Sequence, residues 1–143
     1  MSENNQLIDK LGQYLGLPLK FEENKPCLLM FDEKLMVAIN HEEAQWQFHC
    51  MLTELSVDTP IEHYQSYLSM NIELSNKQLG SICYDADSRA LVYIASLSMP
   101  ASFDSLVTFL EEVVDQYEQL HDQVNNQSLH NNVEQNNLQF KLA

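Results

Sequence analysis

Residues 103–120 read FDSLVTFLEEVVDQYEQL and carry the strongest periodic signal in the chain. The apolar side chains recur every three or four positions, as they do on one stripe of an α-helix. They are Phe103, Leu106, Val107, Leu110, Val113, Val114, Tyr117 and Leu120. The sequence therefore predicts an amphipathic helix whose apolar stripe closes a hydrophobic core.

The same segment is acidic and contains no Lys or Arg up to residue 122. At about 100° per residue the acids gather on an arc beside the apolar stripe. They are Asp104, Glu111, Glu112, Asp115, Glu118 and Asp122. We expect this helix to be part of the scaffold, with its carboxylates facing outward.

Size and charge exclude several kinds of partner. The chain has 143 residues, 45% of them hydrophobic, which suits one domain with a core. With 21 acidic and 7 basic residues its net charge is −14, so it would repel the phosphates of nucleic acid and an anionic membrane surface. The opening residues show no secretory signal, and no apolar run is long enough to span a membrane.

Shorter signals surround the long helix. Leu7 to Leu15 is a predicted helix that Gly16 and Pro18 end, and Thr59-Pro60-Ile61-Glu62 is a predicted capping box before a helix of about ten residues. Alternating or short apolar runs predict the strands 27–31, 35–39, 45–52, 78–84 and 90–97. The order α-β-β-β-α-β-β-α predicts an α+β fold, an antiparallel sheet packed by helices.

The sequence divides after Val124. Residues 125–143 are rich in Asn and Gln with scattered apolar positions. We therefore predict one domain over residues 1–124 and a mobile tail over residues 125–143.

Signals for chemistry are weak. His49 and Cys50 would point to opposite faces of a strand, the other cysteines, Cys27 and Cys83, are far away, and no zinc-binding spacing is present. The three cysteines are expected to be buried thiols in a reducing cytosol. The chain has only three glycines and no phosphate-binding or nucleophile motif, so we expect neither catalysis nor a metal or other cofactor. A Cys–His pair needs only to meet in space, and the sequence alone does not decide on it.

The remaining signal is a surplus of apolar residues. In the predicted strand 27–31, Leu28 and Met30 point to one face of the sheet and Leu29 and Phe31 to the other. Both faces of the sheet are therefore apolar there. Either one domain covers both faces, or one face binds a segment of another chain. The helix from Ile61 also has more apolar positions than one stripe needs, which a two-fold dimer interface would use.

With this element order, residues 5–124 resemble the Tir-chaperone (CesT-like) family of class I type III secretion chaperones. The similar stretches are Leu11 to Leu17, Leu68-Ser69-Met70-Asn71 with Leu79 to Asp85, and the hairpin return Ala90 to Leu97 with Phe103 to Leu106, Phe109 and Leu110. The long Asn/Gln-rich tail and the single glycine at Gly80 depart from the family pattern.

The resemblance implies a homodimer in the bacterial cytosol without enzymatic activity, built on a twisted antiparallel sheet. It would hold the N-terminal segment of a secreted effector extended and soluble, ready for a secretion ATPase. The implied dimer interface is Ile61, Tyr64, Tyr67 and Leu68. The implied effector contacts are Leu7, Leu11, Leu15, Leu29, Phe31, Met36, Phe48 and Met51.

Two other function classes remain open from the sequence. A regulatory adaptor that sequesters a protein partner would use the same groove as a chaperone. A small enzyme or ligand-binding domain would instead need a closed pocket with convergent polar groups.

Overall fold

The computed structural model describes the backbone of residues 2–142 and the side chains of residues 2–126. The predicted α+β class and element order are confirmed. The elements are α1 (Glu3–Leu15), β1 (Cys27–Phe31), β2 (Leu35–His41), β3 (Gln45–Glu54), α2 (Ile61–Asn76), β4 (Ser81–Asp85), β5 (Ala90–Ser98) and α3 (Phe103–Leu142). None of the helices in the described part of the chain is long and apolar enough to cross a membrane.

The five strands form one antiparallel sheet in the order β1-β2-β3-β5-β4. The predicted meander supplies β1 to β3, and the predicted hairpin supplies β4 and β5. The two parts join where β5 pairs with β3, with a register shift between Met51 and Thr53. The strand order places β1 and β4 at the two edges of the sheet, and α2 connects β3 to the edge strand β4.

One face of the sheet packs against α1 and α3 and forms the core. The predicted alternation in β3 is confirmed, because Trp46, Phe48, Cys50 and Leu52 are all buried. Trp46 donates its ring N–H to the Asn4 side chain at 3.1 Å, which ties α1 to the sheet. The Tyr117 hydroxyl donates to the Met51 carbonyl at 2.7 Å and ties α3 to the same strand.

Helix ends follow local capping chemistry with one exception. Ser2 caps α1 and Ser102 caps α3, each accepting a backbone N–H three residues on, and Gly16 ends α1 with a φ of 72°. The predicted cap at Thr59 is wrong. Pro60 takes the N-cap position of α2 without a side-chain bond, and the Thr59 hydroxyl instead accepts the Ser56 N–H at 3.0 Å.

Two helices are longer than predicted. Helix α2 has 16 residues instead of about ten, and Leu74 in its last turn is buried in the core. Helix α3 continues past Val124, and the Asn125 side chain donates to the Leu52 carbonyl at 3.2 Å. Side chains from residue 127 onward lie outside the described residues, so the mobile tail at 125–143 and the domain boundary stay predictions.

Candidate binding groove

A groove of about 440 Å³ runs between α1, α3 and the end of β1. Its floor is apolar and comes from three separate parts of the chain. The lining residues are Leu11, Tyr14, Leu15, Phe31, Val107, Leu110, Glu111, Val114 and Asp115. Tyr14 stands 59% exposed at the mouth, with its ring edge-on to Phe103 at a centroid distance of 5.8 Å. The groove can therefore accept apolar side chains from outside.

The groove adjoins a free sheet edge. Strand β1 pairs only with β2 among the described residues, and its last residue, Phe31, lines the groove. An edge strand presents unpaired backbone N–H and C=O groups that another extended segment can use. Backbone pairing and apolar pockets therefore lie side by side.

The opposite edge is closed by a side chain of the same protomer. The Asn71 amide accepts the Ile82 N–H at 2.6 Å and donates to the Ile82 carbonyl at 3.2 Å. Both outward backbone groups of Ile82 are thus used by α2 in place of a neighbouring strand. Of the two edges, β1 is the one whose geometry admits a partner strand.

The α3 side of the groove is acidic. Glu111 and Asp115 are both exposed, one helical turn apart, and they line the groove beside Val107 and Val114. Neither carboxylate has an ion-pair partner among the described side chains. The groove thus combines an apolar floor with an unneutralised negative rim.

A second apolar surface lies on α2. Ile61, Leu68 and Ile72 are 66%, 64% and 69% exposed, and at about 100° per residue they share one stripe of the helix. Tyr64 is half-buried, and its ring meets Tyr84 edge-on at 6.3 Å. A single protomer leaves this stripe open to solvent.

The amino-acid sequence matches the profile of the Tir chaperone protein (CesT) family over residues 6–121, most of its length. The chain belongs to the Tir chaperone protein (CesT) family. The resemblance inferred from the sequence is thereby confirmed, and with it membership of a family of type III secretion chaperones.

Solved structures share the fold of this CesT-family chain at low sequence identity. In the ExsC–ExsE complex the TM-score is 0.68 at 16% identity, covering 83% of this chain and 91% of that one. In the HopA1–SchA chaperone–effector complex it is 0.65 at 14% identity, covering 85% and 98%. In the heterodimeric ExoU–SpcU complex of the type III secretion system of Pseudomonas aeruginosa it is 0.60 at 17% identity, covering 82% and 93%. At these identities the likeness establishes the fold.

The eight implied effector contacts fall in four places in the CesT-family chain. Leu11, Leu15 and Phe31 meet in the groove, although Leu11 forms its floor and is itself fully buried. Leu7 lines a neighbouring cleft of about 660 Å³ with Lys10, Met99 and Phe103, among others. Met36 and Met51 lie on the open face of the sheet, and Leu29 and Phe48 are fully buried in the core.

The burial of Leu29 and Phe48 removes them from the surface that a partner can reach. Strand alternation predicted which residues share a face, but it did not say which face α1 and α3 would cover. The open face carries Leu28, Met30, Met36 and Met51, all at least 36% exposed. Of the implied dimer residues, Tyr67 is likewise buried, at 2% exposure.

The contribution of α3 to the groove was not predicted from the sequence. Val107, Leu110, Glu111, Val114 and Asp115 supply five of its nine lining residues. The apolar stripe on α3 was assigned to the core, and Leu110 does serve there. The stripe is wide enough that its margin, Val107 and Val114, remains half-buried at the surface. The width of this apolar stripe was the one feature of the sequence that could have indicated a surface role for α3.

The cysteines of this family member are free thiols, with Cys27 and Cys50 buried and Cys83 partly exposed. His49 and Cys50 point to opposite faces of β3, with the His49 ring 3.2 Å from the Gln47 side chain. Burial raises the pKa of the Cys50 thiol from 9.0 to about 12. The neutral thiol that this favours is a poor nucleophile and metal ligand.

The raised pKa of Cys50 predicts sensitivity to alkali. Since the folded pKa of about 12 exceeds the unfolded value of 9.0, the stabilisation is complete below pH 9 and is lost as the pH rises toward 12. Cys50→Ala should reduce the fall in the free energy of unfolding between pH 9 and pH 11 by about 2 kcal/mol. Urea titrations at each pH measure it, with Cys83→Ala as the control. Equal slopes in wild type and Cys50→Ala would contradict the assignment.

Proposed function

We propose that this protein is a type III secretion chaperone that binds the N-terminal segment of a secreted effector in an extended form. The observation that carries the proposal is the contiguity of the apolar groove with the free edge of β1. Family membership and the fold shared with a chaperone–effector complex support it.

Binding would combine two kinds of contact. The effector segment adds as a strand beside β1, so that its backbone satisfies the open edge. Side chains at alternate positions point the same way in a strand, and those on one side enter the groove against Leu15, Phe31 and Val114. Each well-buried Leu or Phe anchor contributes about 1.5–3 kcal/mol.

No chemical step is required in this function. The chaperone stabilises the unfolded state of the segment simply by binding it, to the extent set by mass action. We therefore propose a non-enzymatic role in the bacterial cytosol, with the segment passed on to the secretion machinery, including its ATPase. Neither ATP hydrolysis nor a cofactor enters the holding step.

The proposed assembly is a homodimer through α2. The exposed stripe of Ile61, Leu68 and Ile72 is apolar, and a two-fold axis would place it against its own copy. Tyr64 and Tyr84 lie beside it and extend the apolar area. Tyr67 is excluded from this interface because the core already buries it.

The groove is tested by placing a charge in it. Leu15→Asp should reduce co-purification with an effector N-terminal segment more than tenfold, because an unpaired carboxylate in the groove opposes burial of the anchor. Val57→Asp, at a 76% exposed position in the turn before α2 and away from both the groove and β1, is the control and should leave co-purification unchanged. Binding of the segment as a folded globule, seen by NMR as contacts between residues far apart in its own sequence, would contradict the extended mode.

A further inference from the structure

We propose that the groove selects segments in which an apolar anchor is flanked by Lys or Arg. This inference rests on the proposed function and specifies which segments the groove would take. It follows from the combination of an apolar floor with two carboxylates that form no ion pair with any described side chain.

The two carboxylates are placed to meet a bound segment. Glu111 and Asp115 are four residues apart on α3, which separates them by about 6 Å along the helix axis. Val107 and Val114, which line the floor, lie on the same side of the helix. A residue neighbouring a buried anchor would therefore reach one of the two acids.

Within residues 2–126, neither carboxylate forms an ion pair. The ion pairs among the described side chains join Lys20 and Lys25 to Glu22, Lys34 to Asp122, and Lys77 to Glu73. None of the residues that line the groove is basic. Like charges four residues apart on a helix repel each other, and a bound cation relieves that repulsion.

The turn that follows Phe31, a residue of the groove lining, is also acidic. Asp32 and Glu33 follow Phe31 directly in the turn between β1 and β2. Lys34 is the nearest basic residue in that turn, and Asp122 engages it at 3.7 Å. These two acids add negative charge just beyond the end of β1.

The negative rim affects the choice between segments more than it raises the affinity for any one of them. A segment with Asp or Glu beside its anchor meets repulsion, whereas one with Lys or Arg gains exposed ion pairs. Two exposed pairs correspond to about two- to thirtyfold in affinity. The preference should weaken as salt screens it.

Panning a surface-displayed library of random 15-residue peptides tests the inference. The wild-type chain should enrich alternating apolar segments with Lys or Arg within two positions of an anchor. Glu111→Lys with Asp115→Lys should instead enrich Asp or Glu at those positions. Glu111→Gln with Asp115→Asn removes both charges conservatively and should lose the preference for either sign.

Net charge needs its own control, because a chain of charge −14 attracts basic peptides anywhere on its surface. Glu23→Lys with Asp58→Lys changes the charge by the same four units at exposed sites outside the groove. This control should select the same peptides as the wild type.

The outcomes separate the two proposals. If the wild type and the variant with Glu111→Lys and Asp115→Lys select apolar segments with the same charge pattern, the proposed preference for Lys or Arg is overturned and the groove function stands. If neither selects alternating apolar segments, or if Leu15→Asp selects the wild-type peptides, both proposals are overturned. Circular dichroism of each variant establishes that the fold is intact before panning.

Discussion

Leu68→Asp is expected to convert the proposed dimer into a monomer. Leu68 is 64% exposed in the protomer, so an Asp there leaves the core untouched. In a two-fold interface the same change would bury two unpaired carboxylates near each other, which is costly for each. We expect dimerisation to weaken more than a hundredfold, measured by sedimentation equilibrium over a range of concentrations.

A matched control exists on another surface. Leu28 is 56% exposed on the open sheet face, and Leu28→Asp makes the same change of shape and charge away from α2. It should leave the association constant within a factor of three. If Leu28→Asp dissociates the dimer and Leu68→Asp does not, the interface lies on the sheet face instead.

Gly80→Ala is expected to be severely destabilising. Gly80 has a φ of +85°, and a Cβ there would overlap the Ile94 carbonyl oxygen and lie 2.9 Å from the Ala95 Cα. Both obstacles are backbone atoms of β5, which side-chain rotation cannot move. We expect a loss of about 3 kcal/mol or more in the free energy of unfolding, from strain combined with the clash.

Gly16→Ala is the control that separates the effect of backbone strain from that of a steric clash. It has a φ of +72°, yet a Cβ there would meet nothing within 4 Å. Gly16→Ala should therefore cost only about 1–2 kcal/mol, the ordinary penalty of the left-handed region. Urea denaturation of both variants measures the difference. Equal losses would show that close packing of Gly80 on β5 does not matter.

The sequence predicted those parts of the fold that local periodicity determines. The 3.6-residue period of residues 103–120 and the period of two in β3 repeat over enough positions to define a buried face. Gly16 was a recognisable helix end because capping depends on one residue and its immediate neighbours.

Features that depend on tertiary contacts could not be predicted from the sequence. The cap expected at Thr59 was lost because its hydroxyl accepts the Ser56 N–H within the four-residue turn from Ser56 to Thr59, ahead of α2. The end of α2 was placed early because the burial of Leu74 depends on elements distant in sequence. Leu29 and Phe48 looked as available as Met36 and Met51 until α1 and α3 were placed on one side.

The groove was predictable only in part for the same reason. Its residues come from positions 11–15, 31 and 107–115, which no local pattern connects. The family resemblance led to Leu15 and Phe31, whereas the acidic margin of α3 became relevant only when Glu111 and Asp115 were seen beside them.

The two hydrogen bonds between Asn71 and Ile82 affect how many extended segments one protomer can bind. A sheet with two open edges can grow from both, and copies can then add end to end into a fibre. Because Asn71 of α2 uses both outward backbone groups of Ile82, a strand cannot pair along β4 at that residue, and β1 is the position at which a segment would add in each protomer. The proposed dimer would then present two such positions on one particle. An effector with two suitable segments on one chain would bind the second at a high effective concentration, so that tight retention could arise from two individually weak contacts.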